Sequence, residues 1–345
     1  MIYIVIFFAL LLFSLTPRKY NKTVFYLCSL YLILMGGLRA QYIGTDTRGG
    51  YREYWELFNK GYNLYYVERS FRLLMGLVSR TGGGYQTLLF ILEVLCVVPT
   101  VVVISRQKDF NYCLALFVYY GMALYLHSFN MIRQCVAMGF CLLSYDMFKD
   151  HKIWSLIFFI LGVVFHKSAF VFIAAFIMLY VPLNLSGIIV LLLVSFIAGL
   201  VVSPSFFKVL LIPESYLNYL NSEKYGFRPK SVIIVVMALA MNVFYAVYVI
   251  FGSKKMLRDE YTKLLLLGIY VLNVTQSLAL GTRLMFYFTQ SQIIFYPRYL
   301  RCLTKRQKVF WGLLLALYLA VTGGKIFIGY YKDITPYNLY FLSPV

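Results

Sequence analysis

Residues 85–104 read Tyr85-Gln86-Thr87-Leu88-Leu89-Phe90-Ile91-Leu92-Glu93-Val94-Leu95-Cys96-Val97-Val98-Pro99-Thr100-Val101-Val102-Val103-Ile104, with Glu93 as their one charge. At 1.5 Å per residue a helix of this length spans the ~30 Å hydrocarbon core of a bilayer. Pro99 predicts a kink. Glu93, deep in the run, needs a buried partner or a wet cavity, because a charge at bilayer depth costs about 3 kcal/mol or more. A salt bridge to a neighbouring helix meets that need as well as a catalytic role does.

The same pattern recurs at roughly 1–16, 23–38, 110–127, 131–148, 153–165, 168–181, 187–203, 231–251, 264–281, 283–300 and 309–329. The expected fold is therefore an all-α, polytopic integral membrane domain covering residues 1–345, with about 12 transmembrane helices. Runs around 153–181 are short and read as broken or tilted helices. The runs are continuous rather than alternating, which argues against an outer-membrane barrel. Of the 345 residues 61% are hydrophobic and 13% charged, whereas a soluble domain is about a quarter charged. The first run starts at Met1 without a basic leader and reads as a retained helix.

The net charge of +19 is read first as the positive-inside bias of cytoplasmic loops, not as nucleic-acid binding. Arg18, Lys19 and Lys22; Arg106 and Lys108; Lys149 and Lys152; Lys254, Lys255, Arg258 and Lys263; and Arg298, Arg301, Lys305, Arg306 and Lys308 alternate correctly if both termini lie outside the cell. Pro182–Ser186 is the discordant connection, expected inside yet without Lys or Arg. Two connections, 39–84 and 204–230, then face outward. The second carries Glu214, Glu223, Lys224 and Arg228, placed to act as a lid. The six cysteines, Cys28, Cys96, Cys113, Cys135, Cys141 and Cys302, form no CxxC pair and read as small core residues.

Within 39–84, Val67, Phe71, Leu74, Met75 and Val78 share one helical face, interrupted by Glu68, Arg69, Arg72 and Arg80. This predicts an extracytoplasmic amphipathic helix lying in the interface. Gly82-Gly83-Gly84 ends it; no Gly-Lys-Ser/Thr follows, so it is not a phosphate loop.

Four segments place polar residues at the common outer end of the spans. Arg39 precedes Gly44-Thr45-Asp46-Thr47 and Tyr51, where Asp46 either takes a sugar hydroxyl's proton or closes an Asx-turn. Glu68 either binds an acceptor sugar or pairs with Arg72 at i,i+4. His127-Ser128-Phe129-Asn130 leads to Arg133-Gln134, where a lone Arg can snorkel but the polar set invites a site. His166 in Phe165-His166-Lys167-Ser168-Ala169 is either structural or a proton carrier. Arg283 follows Gly281-Thr282. Arg39, Arg133 and Arg283 suit a pyrophosphate, whose oxygens guanidiniums bind in bidentate fashion. No HExxH, P-loop or dinucleotide fingerprint is present, and no metal or cofactor is expected.

In order and spacing these pieces resemble the EpsG-type branch of bacterial Wzy-like polysaccharide polymerases. The matching residues are Arg39 with Gly44–Thr47 and Tyr51, Glu68, Asn130 with Arg133-Gln134, Phe165–Ala169, and more loosely Arg283 with Tyr287-Phe288. The Val67-Glu68-Arg69-Ser70 context departs from the family's pattern. The resemblance implies a metal-independent glycosyltransferase of the bacterial cytoplasmic membrane, working on its outer face in exopolysaccharide or O-antigen synthesis. Its donor and acceptor would be oligosaccharide repeat units on undecaprenyl pyrophosphate. Membrane lipids and a chain-length regulator would be its partners, and no nucleic acid. On this expectation Arg39, Arg133 and Arg283 bind pyrophosphate, and His166 or Asp46 is the base, with Glu68 on the acceptor. Thr45, Tyr51, Arg72, Asn130 and Gln134 contact sugar. A ligase of the same chemistry, a lipid-linked sugar flippase and a membrane acyltransferase using His166 are the rivals.

Overall fold

In the computed structural model the described residues are 1–202, 232–251, 254–278, 281–327 and 333–342. The expected lid at 204–230 lies outside them. The regular structure of the described residues is helical, with an isolated bridge between Arg39 and Leu339. Two units divide it, Met1–Phe170 with Tyr296–Val345, and Val171–Phe295.

The first unit is organised around α7 (Ile132–Met147), whose residues are nearly all buried. It packs against α5 (Tyr85–Arg106) and α8 (Lys152–Phe165). Small residues let these backbones approach: a Cβ added at Gly139 would meet Pro99 at 3.3 Å, and one at Gly162 would meet Cys141 Sγ at 3.1 Å. Such contacts are how helices associate in lipid, where burying apolar surface brings no gain. α2 (Arg18–Gly37) packs on α5, and α1 (Ile2–Phe13) on α6 (Tyr112–Gly121). The loop after α2 carries α3 (Arg52–Asn59) and α4 (Arg69–Arg80), the latter resting on α5 and α8.

The second unit holds α9 (Ile173–Leu179), α10 (Leu185–Val201), α11 (Val232–Phe251), α12 (Lys254–Leu257), α13 (Glu260–Val274) and α14 (Gly281–Thr289). Asn242 and Asn273 exchange amide hydrogen bonds at 2.7 and 3.0 Å, tying α11 to α13. α15 (Gln292–Arg301) and α16 (Lys305–Phe327) follow in the chain.

The surface is not that of a water-soluble protein, although the interior is mostly apolar. Phe8, Leu12, Leu27, Leu30, Ile153, Trp154, Val190, Leu193, Ile233, Val236, Phe310 and Leu313 are exposed, while Arg39, Glu93 and Asn130 are fully buried. Apolar rows facing outward on many helices mark a lipid-facing surface. Three helices, Tyr85–Arg106, Val232–Phe251 and Lys305–Gly324, are long and apolar enough to cross a bilayer, and five shorter apolar helices accompany them. The architecture is thus all-α and membrane-like, and the described helices fall short of the dozen full spans expected. Breaks account for part of the difference. The 110–127 run stops at Gly121, where Ala123 takes a positive φ of 59°. The 283–300 run breaks between Thr289 and Gln292. The break expected between 153 and 181 falls at His166.

The discordant Pro182–Ser186 connection finds its charge elsewhere in the chain. Lys263 donates from Nζ to the carbonyls of Leu179 (2.8 Å) and Val181 (2.7 Å), capping the carboxyl end of α9. In the first unit, Arg18 and Arg301 both pair with Asp109, Arg106 pairs with Asp146 at 2.6 Å, and Arg298 donates to Gln107 at 2.6 Å. Basic residues read as one loop set therefore gather at one end of that unit.

Candidate functional site

At the other end of the first unit, the Gly44–Thr47 turn is pressed onto the Phe129–Asn130 turn. Thr47 Oγ1 donates to the Phe129 carbonyl at 2.5 Å, the Asp46 amide donates to Asn130 Oδ1 at 3.3 Å, and Tyr85 donates to the Thr47 carbonyl at 2.7 Å. Gly44 has φ +95°, and a Cβ there would strike the Phe129 carbonyl oxygen. Gly44→Ala combines a left-handed backbone with a backbone clash. We expect it to cost at least about 2 kcal/mol, read as loss of detergent-stable protein.

The expected Asx-turn is not formed. Among the described residues the half-buried Asp46 carboxylate accepts no hydrogen bond, and the turn is held from outside. Part of that hold comes from a segment the sequence reading missed, 333–342. Gly44 N–H donates to the Asp333 carbonyl and Ala40 N–H to the Asn338 carbonyl, both at 2.9 Å. Arg48 pairs with Asp333 at 3.5 Å.

Arg39 is fully buried under this turn. Its guanidinium donates to the Gly36 carbonyl and to Glu93 at 3.1 Å, and stands 4.5 Å from the centre of the Phe129 ring. Ser128 Oγ, 3.0 Å from both Glu93 oxygens, completes the network. Glu93 thus has the interhelical partner its depth demands. Gly36 leaves the room: a Cβ would sit on the Glu93 carboxyl carbon.

Arg133, in the first turn of α7, reaches across 65 residues to Glu68. The Glu68–Arg72 pair expected at i,i+4 does not form. Glu68 is the N-cap of α4, with extended backbone (φ −56°, ψ 141°), so its side chain leaves the helix before that spacing applies. Three rings surround the Arg133 guanidinium, with centres 5.4 Å (Tyr51), 5.8 Å (Tyr54) and 5.7 Å (Phe71) away. Such a cage desolvates the cation while its π-faces stabilise it. Burial pushes the Tyr51 hydroxyl up to about 12, against the opposing pull of Arg133, so it stays protonated and can donate. Only 19% of the Arg133 side chain and 15% of Glu68 are exposed. Tyr54 escaped the sequence reading because aromatic residues are abundant here and carry no signal singly, and Phe71 was legible there only as part of the buried face of α4.

His166 ends α8. Its Nδ1 accepts from the Ser168 amide at 3.3 Å and lies 2.8 Å from Ser168 Oγ. An amide can only donate, so in the neutral ring Nδ1 is the acceptor and the proton sits on Nε2. Ser70 Oγ donates to the Val164 carbonyl at 2.7 Å, fastening α4 to this same end of α8. Asn130 and Gln134 are buried; Thr45 is exposed, and Arg72 lines a groove along α4. Arg283 is half-buried on α14, in the second unit.

The first unit therefore unites Thr45, Asp46, Tyr51, Asn130, Arg133 and Glu68 around two facing turns, with Arg39 beneath them. A largely buried ion pair that water still reaches, on the same unit as a carboxylate that accepts no hydrogen bond among the described residues, can bind a polar ligand and take a proton from it. No curated protein and no solved structure matches the chain. Residues 22–339 match the model of the EpsG family, nearly the whole chain, and the protein belongs to that family.

Proposed function

We propose that this protein is a polysaccharide polymerase with about 12 membrane crossings, its site on the outer face of the bacterial cytoplasmic membrane. It joins repeat units carried on undecaprenyl pyrophosphate. In the step, the acceptor hydroxyl attacks the donor's anomeric carbon and loses its proton to a base. The glycosidic bond forms, the anomeric C–O bond to phosphate breaks, and undecaprenyl pyrophosphate leaves with the electron pair. The observation that carries this reading is the caged Arg133–Glu68 pair in a chain of this family.

We assign Arg133 to the departing pyrophosphate, which competes with Glu68 for the guanidinium and frees Glu68 to bind acceptor sugar. Cations fixed where charge develops typically account for about 3–4 kcal/mol of barrier. Asp46 is the better base of the two candidates, since its carboxylate is open whereas His166 Nδ1 is engaged by Ser168. His166 then donates from Nε2. Arg283 remains a proposed second pyrophosphate ligand. We assign Arg39 to the scaffold that holds the turn. Thr45, Tyr51, Asn130 and Gln134 remain proposed sugar contacts.

Sidedness has a direct test. Thr45 is exposed at the site end, and Cys302 is an exposed free cysteine beside Arg301 at the basic end. A membrane-impermeant thiol reagent applied to intact cells is expected to label the Thr45→Cys variant at position 45 and to leave Cys302 unlabelled until the cells are opened. Labelling of Cys302 alone would invert the orientation. For the activity, Asp46→Asn is expected to lower polymer formation about 100-fold or more, as loss of a general base does, with lipid-linked substrate still bound. Undiminished turnover would pass the base role to another group.

A further inference from the structure

The polymerisation reaction needs two lipid-linked substrates at once, and only one diphosphate leaves. The acceptor's diphosphate stays intact and needs its own place. Arg133 and Glu68 already neutralise each other, so an uncompensated cluster of cations elsewhere is of interest.

Such a cluster lines a groove between α3, the turn that follows it, and α4. Tyr62, Arg69, Arg72, Leu73, Leu77 and Arg80 form its walls. Its volume is about 400 Å³, against roughly 30 Å³ for one water. None of the three arginines has a carboxylate within 4.0 Å among the described residues, and the nearby acids Glu56 and Glu68 are committed to Arg52 and Arg133. The Arg72 Nε is buried without a hydrogen-bond partner among the described residues. An unpaired buried donor on a cation is unfavourable, and an anion would satisfy it.

α4 explains the layout. Phe71, Met75 and Val78 bury its inner face, which leaves the opposite side free. On that side Arg69 and Arg72 stand one turn apart, and Arg80 lies about 12 Å further along the axis from Arg72. Leu73 and Leu77 lie between them, 60% and 61% exposed. Guanidiniums in adjacent turns can grip vicinal phosphates in bidentate fashion. The aliphatic strip offers a surface to a hydrocarbon chain, and Arg80 reaches the far end of the groove.

We propose that this groove binds the diphosphate headgroup of a lipid, with Arg69 and Arg72 on the phosphates, and that it seats the acceptor substrate during polymerisation. The second half rests on the polymerase reading; the first half does not. The test uses the purified full-length protein in detergent, with farnesyl diphosphate as probe. Wild type is expected to bind it with a salt-sensitive affinity. Arg69→Gln with Arg72→Gln should weaken binding by about tenfold or more, Arg72→Lys less, and Arg80→Gln least. Arg306→Gln, at an exposed arginine in the first turn of α16, should change nothing. All four variants alter groove or surface side chains, and an unchanged unfolding temperature verifies each fold.

Unaltered binding in the double variant would overturn the groove. Equal displacement of the probe by phosphatidylglycerol micelles would also overturn it, exposing a generic phospholipid site; inorganic pyrophosphate is expected to compete, phosphatidylglycerol far less. In a polymerisation assay the double variant should raise the acceptor KM about tenfold with kcat nearly unchanged. If wild type binds the probe through these arginines yet elongates nothing, the groove stands and the polymerase reading falls. If the double variant elongates with an unshifted acceptor KM, the polymerase reading stands and the groove does not seat the acceptor.

Discussion

Arg39→Ala is expected to strip most of the folded protein from the membrane fraction. Arg39 and Glu93 are both fully buried, 3.1 Å apart, so water cannot rescue whichever partner is left. Breaking one side of a buried pair costs about 3–5 kcal/mol, a large share of the ~5–15 kcal/mol by which a protein is stable. Glu93→Ala should do comparable damage, because it also orphans the Ser128 hydroxyl. The combination Arg39→Met, Glu93→Leu and Ser128→Ala removes every member of the network together. Its expected stability lies within about 1 kcal/mol of wild type, measured by thermal aggregation in detergent. If that variant folds and still builds polymer, Arg39 is a scaffold residue. If it folds but is inert, Arg39 belongs with the pyrophosphate ligands, as the motif first suggested.

Arg133→Ala is expected to have the second large effect, this time on chemistry. The Arg133–Glu68 pair is 15–19% exposed, so solvent screens the abandoned Glu68 and the stability cost falls to about 1–2 kcal/mol. Protein should therefore reach the membrane near its usual level. Polymer formation from lipid-linked repeat units should fall about 100- to 1,000-fold, as when a fixed transition-state donor is removed. Arg133→Lys tests geometry against charge. A lysine keeps the cation but loses the fork and the flat face that Tyr51, Tyr54 and Phe71 enclose, so it should recover only a small part of the activity. Wild-type chain lengths from Arg133→Ala at normal abundance would remove this residue from the reaction.

The features legible in the sequence are those that follow from one dimension. Apolar run lengths marked the helices, and the face made by Val67, Phe71, Leu74, Met75 and Val78 marked α4, where all but the half-buried Leu74 are buried. Depth alone called for a partner to Glu93. What the chain hid were the pairings between distant segments. Helical spacing, the only rule a sequence supplies for neighbours, offers Arg72 to Glu68 as one of its two readings; the cap conformation sends Glu68 to Arg133 instead. The clasp by Asp333 and Asn338 is made mainly by backbone carbonyls, which leave no trace in residue type. Lys263 looked like a loop charge and is a cap on α9, 82 residues from the Val181 carbonyl it binds. Arg69 and Arg80 gave no sign of a groove, since nothing in a sequence says which arginines lack a carboxylate.

On the proposed function, the Arg133–Glu68 end of the first unit lengthens a glycan carried on a lipid diphosphate. The most direct measurement is reconstitution of the purified protein in liposomes with undecaprenyl-pyrophosphate-linked repeat units, followed by sizing of the lipid-linked products. A ladder of lengthened chains together with released undecaprenyl pyrophosphate is expected, and single units when Arg133→Ala replaces wild type. Single units carried to the opposite leaflet by wild type, with no lengthening, would contradict it and make the protein a transporter.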